Sequence, residues 1–260
     1  MTLTQIDTTS SAAFSTLPQW FSEQLQPLNT DFDTRVVCLA EDARWLQTSL
    51  TGVKMRVMEY IPGPRPRLAL QLRLNYQHSP IVLNNYPDLE ILIQQGHIRS
   101  RLGHYRANQY LRLPQTTDEN VRELVCQRAE SMDPSEPVLL YLAVGQMRDS
   151  DTEWRRINTT DEDNWFPGPA EGTDVLPLHG HGLGNVMLVR WNKTMAFKTR
   201  IDPRGEEVLV VKGAVYDAQG FYPAGSWIRN PIVAWQSWGA KSGTVIYYKN
   251  GHFNDSDSRL

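Results

Sequence analysis

Gly96-His-Ile-Arg-Ser-Arg-Leu-Gly103-His-Tyr105-Arg-Ala107-Asn-Gln-Tyr110-Leu-Arg112-Leu-Pro114 can be laid without a gap on Gly213-Ala-Val-Tyr-Asp-Ala-Gln-Gly220-Phe-Tyr222-Pro-Ala224-Gly-Ser-Trp227-Ile-Arg229-Asn-Pro231, at an offset of 117 residues. Seven positions agree in type: the two glycines, the tyrosine, the alanine, the arginine, the proline, and the aromatic pair Tyr110 and Trp227. The strand-like runs just before, Leu89-Glu-Ile-Leu-Ile93 and Glu206-Glu-Val-Leu-Val210, keep the same offset. Further upstream, Trp45 stands seven residues before Gly52, as Trp165 does before Gly172. Self-similarity over this distance means two copies of one unit, and that fixes the architecture before any single element is considered.

Each copy reads as β structure. Leu68–Leu74, Val186–Trp191, Glu207–Val211 and Gly243–Tyr248 are short β-favouring runs separated by Gly, Pro, Asn and Asp turns, which suggests sandwiches or small barrels. Two segments read as helices: Pro18–Leu25, and Asp118–Ala129, where apolar residues at 121, 124 and 125 follow a Thr-Thr-Asp start. The polar stretch 148–163 reads as a linker. The expected organisation is an N-terminal extension 1–34, a first unit 35–147, the linker 148–163 and a second unit 164–260.

Composition narrows the function classes. The 260 residues carry a formal charge of only −3 with no long Lys/Arg run, which argues against a nucleic-acid groove. A hydrophobic fraction of 40% excludes a disordered chain. No apolar stretch is long enough for a membrane span, and the first residues lack the order of a signal peptide, so a soluble, cytoplasmic protein is expected. Cys38 and Cys126 have neither C-x-x-C spacing nor neighbouring His ligands, so neither a disulfide nor a thiolate metal site is expected. The run Gly180-His-Gly-Leu-Gly184 is not a dinucleotide fingerprint and precedes a strand.

In the second copy, Glu206 is followed after six residues by Gly213, and Gly225 after five residues by Pro231. With the phrase Gly205–Gly213 and the turn Asp217-Ala-Gln-Gly220, this resembles the two signature motifs of cupin barrels. It is similar in particular to the ChrR-like cupins, which include the metal-binding domain of ChrR anti-sigma factors and dioxygenases that cleave acetylacetone-like substrates. The resemblance covers about residues 35–250 and implies an all-β fold of two tandem cupin (RmlC-like jelly-roll) barrels with a few short helices. It also implies a metal site of two His, one Glu and a final His. Those four positions fall here on Arg200, Asp202, Glu206 and Gln236, and in the first copy on Leu83, Asn85, Leu89 and Glu119.

Only one family ligand is kept, so several readings stand. Asp202, Glu206 and Gln236 supply oxygen donors for a divalent Fe, Mn, Ni or Zn ion; alternatively, Arg200 replaces the metal by pairing with Asp202 or Glu206 inside a metal-free barrel. His179 and His181, an i, i+2 pair, read either as a ligand or acid/base pair or as rim histidines. Arg200 with Gln236, Trp227, Trp235 and Tyr222 would bind a small aromatic or diketone-like anion, Arg200 and Glu206 doing any chemistry. Trp191, Tyr216 and Trp238 complete the aromatic set of this copy. The protein is thus expected to be a small-molecule-binding bicupin, either a dioxygenase-type or isomerase-type enzyme or a non-catalytic regulator. Its partner is a small-molecule ligand, not nucleic acid or a membrane, with a homodimer among the options.

Overall fold

The computed structural model describes residues 25–75, 81–82, 88–100, 103–115, 123–126, 136–197, 200–202, 204–231 and 234–253; within these, the side chains of 82, 123–126, 200–202 and 234–236 are left aside. Among the described residues each copy forms one seven-stranded antiparallel sheet, backed in the first by a four-stranded sheet and in the second by a four-stranded and a two-stranded sheet. In the first, the strand order is Arg155–Asn158, Gln109–Leu113, Leu89–Gln95, Val138–Val144, Arg67–Leu74, Val53–Ile61, Leu46–Gln47. In the second it is Val36–Cys38, Trp227–Asn230, Glu206–Lys212, Val245–Asn250, Gly184–Trp191, Thr173–His181, Phe166–Pro167. The two orders match strand for strand.

The copies exchange their first strands. Val36–Cys38, from the beginning of the chain, pairs with Trp227–Asn230 of the second copy, Val36 opposite Arg229. Arg155–Asn158 pairs with Gln109–Leu113 of the first, Arg155 opposite Arg112. The stretch read as a polar linker therefore holds a strand, and a 3-10 turn at Glu162–Asn164 capped by Asp161. Its polarity reflects an edge strand with one solvated face.

The helix expected over 118–129 is replaced, where described, by the strand Glu123–Cys126, paired with Ile81–Val82 and with His97–Ser100. Apolar residues at 124 and 125 suit either structure, and pairing on both sides outweighs local propensity. The other expected helix lies outside the described residues apart from Leu25.

Alternation along the strands sorts side chains into three layers. Val53, Met55, Leu68, Leu89 and Ile91 fill the first copy, and Trp191, Val208, Val210, Val215 and Trp238 fill the second. Between the two large sheets lies a third layer that includes Met58, Leu92, Tyr141, Leu176, Leu209, Trp227 and Tyr247. Strands buried on both faces explain the long apolar runs, and the charges that interrupt them, Glu90 and Glu207, contact side chains of the middle layer.

Candidate functional site

Inside the second copy the expected site positions converge in part. Arg200 pairs with Gln236, Ile201 with Trp235 and Asp202 with Ala234. Directly opposed residues share a face, so positions 200 and 236 lie on one side of the ladder and 201 and 235 on the other. Gly205, at φ +68, turns the chain into the strand that begins with Glu206, and a Cβ there would meet the Phe253 ring at 2.5 Å.

Glu206 is completely buried. Its Oε1 accepts hydrogen bonds from Trp238 Nε1 (2.7 Å) and Asn230 Nδ2 (2.8 Å). Asn230 Oδ1 in turn accepts from Arg35 Nε at 2.8 Å, which fixes the orientation of the amide. Arg35 also pairs with Asp217 and donates to the Tyr222 hydroxyl, which itself donates to Asp217 Oδ1 (2.8 Å). Tyr222 packs edge-on to Trp238 at 6.0 Å, and burial pushes its hydroxyl pKa up. Sequence reasoning placed Glu206, Tyr222 and Trp238 in this copy but missed Arg35, which arrives from just before the exchanged first strand, 195 residues away from Asn230.

Trp227 departs from the expected grouping. Its strand position is opposite Leu209, so it faces the middle layer and donates from Nε1 to Glu207 at 2.9 Å instead of joining Glu206. Trp191 is a core ring packed on Phe197, and Tyr216 is partly exposed. In the first copy Leu89 holds the place of Glu206, fully buried among apolar side chains; Leu83, Asn85 and Glu119 lie outside the described residues.

The middle layer contains a second polar assembly, related to itself by the pseudo-two-fold of the repeat. Glu90 Oε1 accepts from the Tyr110 hydroxyl (2.8 Å), as Glu207 Oε1 accepts from Trp227. Tyr141 and Tyr247, 5.3 Å apart at the centre, reach across to Glu207 and Glu90 respectively. Arg112 and Arg229 flank the two ends; Arg229 pairs with Glu59, and Arg112 with Asp151. His179 Nε2 lies 2.9 Å from Asp151 Oδ2, so this histidine is a buried member of the layer, whereas His181 is partly exposed and contacts Ser150 Oγ at 3.1 Å.

Burial lowers the pKa of His179. For His252, burial outweighs a hydrogen bond to Glu207 (3.2 Å), and the positive fields of Arg67 and Lys249 add to it, taking its pKa down to about 3. Burial alone would raise the Glu207 carboxyl, but His252, Arg67 and Lys249 hold it well below the usual carboxylate range. Arg112 and Arg229 belong to the repeat in the sequence, yet nothing in spacing alone distinguishes a buried arginine from a surface one.

Residues 154–254 match the family model of the ChrR Cupin-like domain. No curated protein matches the sequence. Among solved structures, protein Ylba from Escherichia coli aligns with a TM-score of 0.62 at 10% identity, over 87% of this chain and 95% of that one. The pirin YhhW from Escherichia coli, in complex with nickel(II), gives 0.54 at 12% identity over 84% and 98%. The 11S globulin from Wrightia tinctoria, whose structure shows an auxin binding site, gives 0.58 at 9% identity over 85% and 84%. At such identities the likeness is one of fold.

Proposed function

We propose that this chain, a tandem cupin whose residues 154–254 form a ChrR cupin-like domain, binds a small organic anion inside its second copy. Glu206 carries the reading. The first copy folds with leucine at this position, so the architecture does not require a charge there. Burying a carboxylate is costly, and such a group with fixed donors and a fixed orientation is typical of a ligand site. Arg200, paired with Gln236 in the facing ladder, anchors the carboxylate or enolate of the ligand, and Glu206 is the acid/base group. Tyr222 and Trp238 supply the aromatic wall.

The donor set does not fit a resident metal. At the family's ligand positions the carboxylates Asp202 and Glu206 and the Gln236 amide leave no imidazole, the Arg200 guanidinium beside them repels a cation, and Glu206 Oε1 is already shared by two N–H donors. No oxygen-dependent step is therefore derived. One contact favours a regulatory role over turnover: Arg35 ties the N-terminal strand to Asn230 and through it to Glu206, so that occupancy can be relayed outward.

Calorimetric titration of the whole protein with small aromatic and diketone-like acids tests the reading. At least one class should bind, with about tenfold or greater loss in both Glu206→Gln and Arg200→Ala. Binding unaffected by either substitution would overturn it, and consumption of the bound ligand would separate an enzyme from a sensor.

A further inference from the structure

The edges of the two large sheets meet at an open seam. Val36–Cys38 is the edge strand of the second sheet, while Val53–Ile61 of the first is covered by Leu46–Gln47 at one end and by the Leu28 bridge to Tyr60 at the other. Between them a cavity of about 490 Å³ opens to solvent. Its wall is aliphatic: Leu25, Leu28, Val37, Leu39, Leu46 and Val57 line it, and no aromatic ring of the described residues does. Leu28, Val37 and Leu46 remain 39%, 38% and 39% exposed. Large apolar side chains left in water around one hollow, of the size of small-molecule sites, mark a binding surface.

Arg56 stands in the same wall and is only 5% exposed. Its Nη2 donates to the carbonyls of Cys38 (3.1 Å) and Leu39 (2.7 Å), both wall residues, which places the guanidinium at the cavity. Nη1 donates to the Gly225 carbonyl (2.7 Å) and to Gln71 Oε1 (3.1 Å). All four acceptors are neutral, so they satisfy N–H groups and leave the charge itself uncompensated. Burial accordingly lowers the Arg56 pKa, opposed by the Cys38 thiol and, among the described residues, by no carboxylate. Glu59, whose field reaches Cys38, is engaged by Arg67 and Arg229. Arg44 and Asp42, exposed residues of the wall, offset each other, and the Arg56 charge stays in excess.

The fold does not need a cation there. Val53 faces Leu74 as Thr173 faces Trp191, and both strands slip register at the same step, after Val57 and after Pro177. That equates Arg56 with Leu176, completely buried in the middle layer. We propose that the cavity binds an aliphatic monocarboxylate of medium chain length, its tail along the leucine and valine wall and its carboxylate facing Arg56. This site is separate from the one around Glu206, and neither depends on the other.

Calorimetric titration of the whole protein with sodium octanoate, below its micelle concentration, is the test, against octylammonium, which has the tail without the anion, and acetate, which has the anion without the tail. Octanoate should bind saturably, and both controls at least about tenfold more weakly. Arg56→Leu, which copies Leu176, and Leu46→Glu, which sets a carboxylate on the wall at an already exposed position, should each weaken octanoate about tenfold or more. Saturating octanoate should slow alkylation of Cys38 by iodoacetamide severalfold, followed by peptide mass spectrometry, and folded Glu206→Gln should bind octanoate as the wild type does. No saturable binding, the outcome if the chain before Leu25 or a second copy fills the cavity instead, would overturn the proposal. So would an equal response to either control, unslowed alkylation of Cys38, undiminished binding in whichever wall variant folds, or loss of binding in Glu206→Gln.

Discussion

His252→Gln separates the electrostatic cost of a buried imidazole from the packing it provides. The folded protein holds His252 neutral, its pKa taken from 6.5 down to about 3. Between those values the unfolded chain binds a proton that the folded chain refuses, so stability falls as pH drops through the window. Each pH unit below 6.5 costs about 1.4 kcal/mol, so that at pH 5 the penalty is about 2 kcal/mol. Glutamine removes it. The equivalent position in the first copy is already Gln146, in the same turn after a left-handed glycine (Gly145, φ +66; Gly251, φ +75). The amide can still donate to Glu207, while the ring contact with Phe253 at 4.0 Å is lost, so at pH 7 the variant should be weaker by about 1 kcal/mol. At pH 5 Glu207 is still ionised in the folded and largely so in the unfolded chain, so its own titration contributes little. Urea unfolding of both proteins at pH 7 and pH 5 should therefore show the variant gaining about 2 kcal/mol on the wild type across the interval. Parallel losses in the two proteins would refute the assignment of His252 as a neutral, buried group.

Arg229→Met should cost about 3–5 kcal/mol in urea unfolding, because it leaves Glu59 facing Arg67 alone and frees the Asn29 and Asp31 carbonyls. Gly145→Ala should destabilise by more than about 2 kcal/mol, since a Cβ at φ +66 would meet the Pro66 carbonyl oxygen at 2.1 Å; a melting temperature within a degree or two of the wild type would contradict that geometry. Restoring imidazoles with Arg200→His, Asp202→His and Gln236→His should create tight metal binding beside Glu206, read by metal-induced thermal shift, because the register pairs 200 with 236. A folded triple variant that gains no metal affinity would count against that register.

The repeat was legible because glycines, a proline and paired strands recur at one spacing, and those residues are fixed by backbone geometry. The strand exchange was not: Val36–Cys38 looks like any short strand, and only its pairing with Trp227–Asn230 assigns it to the other copy. For the same reason Arg35 could not be foreseen beside Asn230 and Tyr222. Trp227 was grouped with Glu206 as an aromatic of the same copy, but an odd number of steps along the paired ladder puts it on the opposite face of the sheet. The helix read over 118–129 failed, where described, because its apolar spacing is helical and only the pairing of Glu123–Cys126 with two neighbouring strands makes it extended. Glu90 and Glu207 interrupt apolar runs, a signal the sequence reading passed over; only their contacts with Tyr110, Tyr141, Trp227 and Tyr247 place them between the sheets.

The central claim is that the second copy works as an anion site without a resident metal. Metal content of untagged, gently purified protein by plasma mass spectrometry, paired with melting curves with and without chelator, tests it most directly. The account predicts well below one equivalent of any transition metal and an unchanged melting temperature. Near-stoichiometric Fe, Mn, Ni or Zn, with a lower melting temperature after chelation, would contradict it.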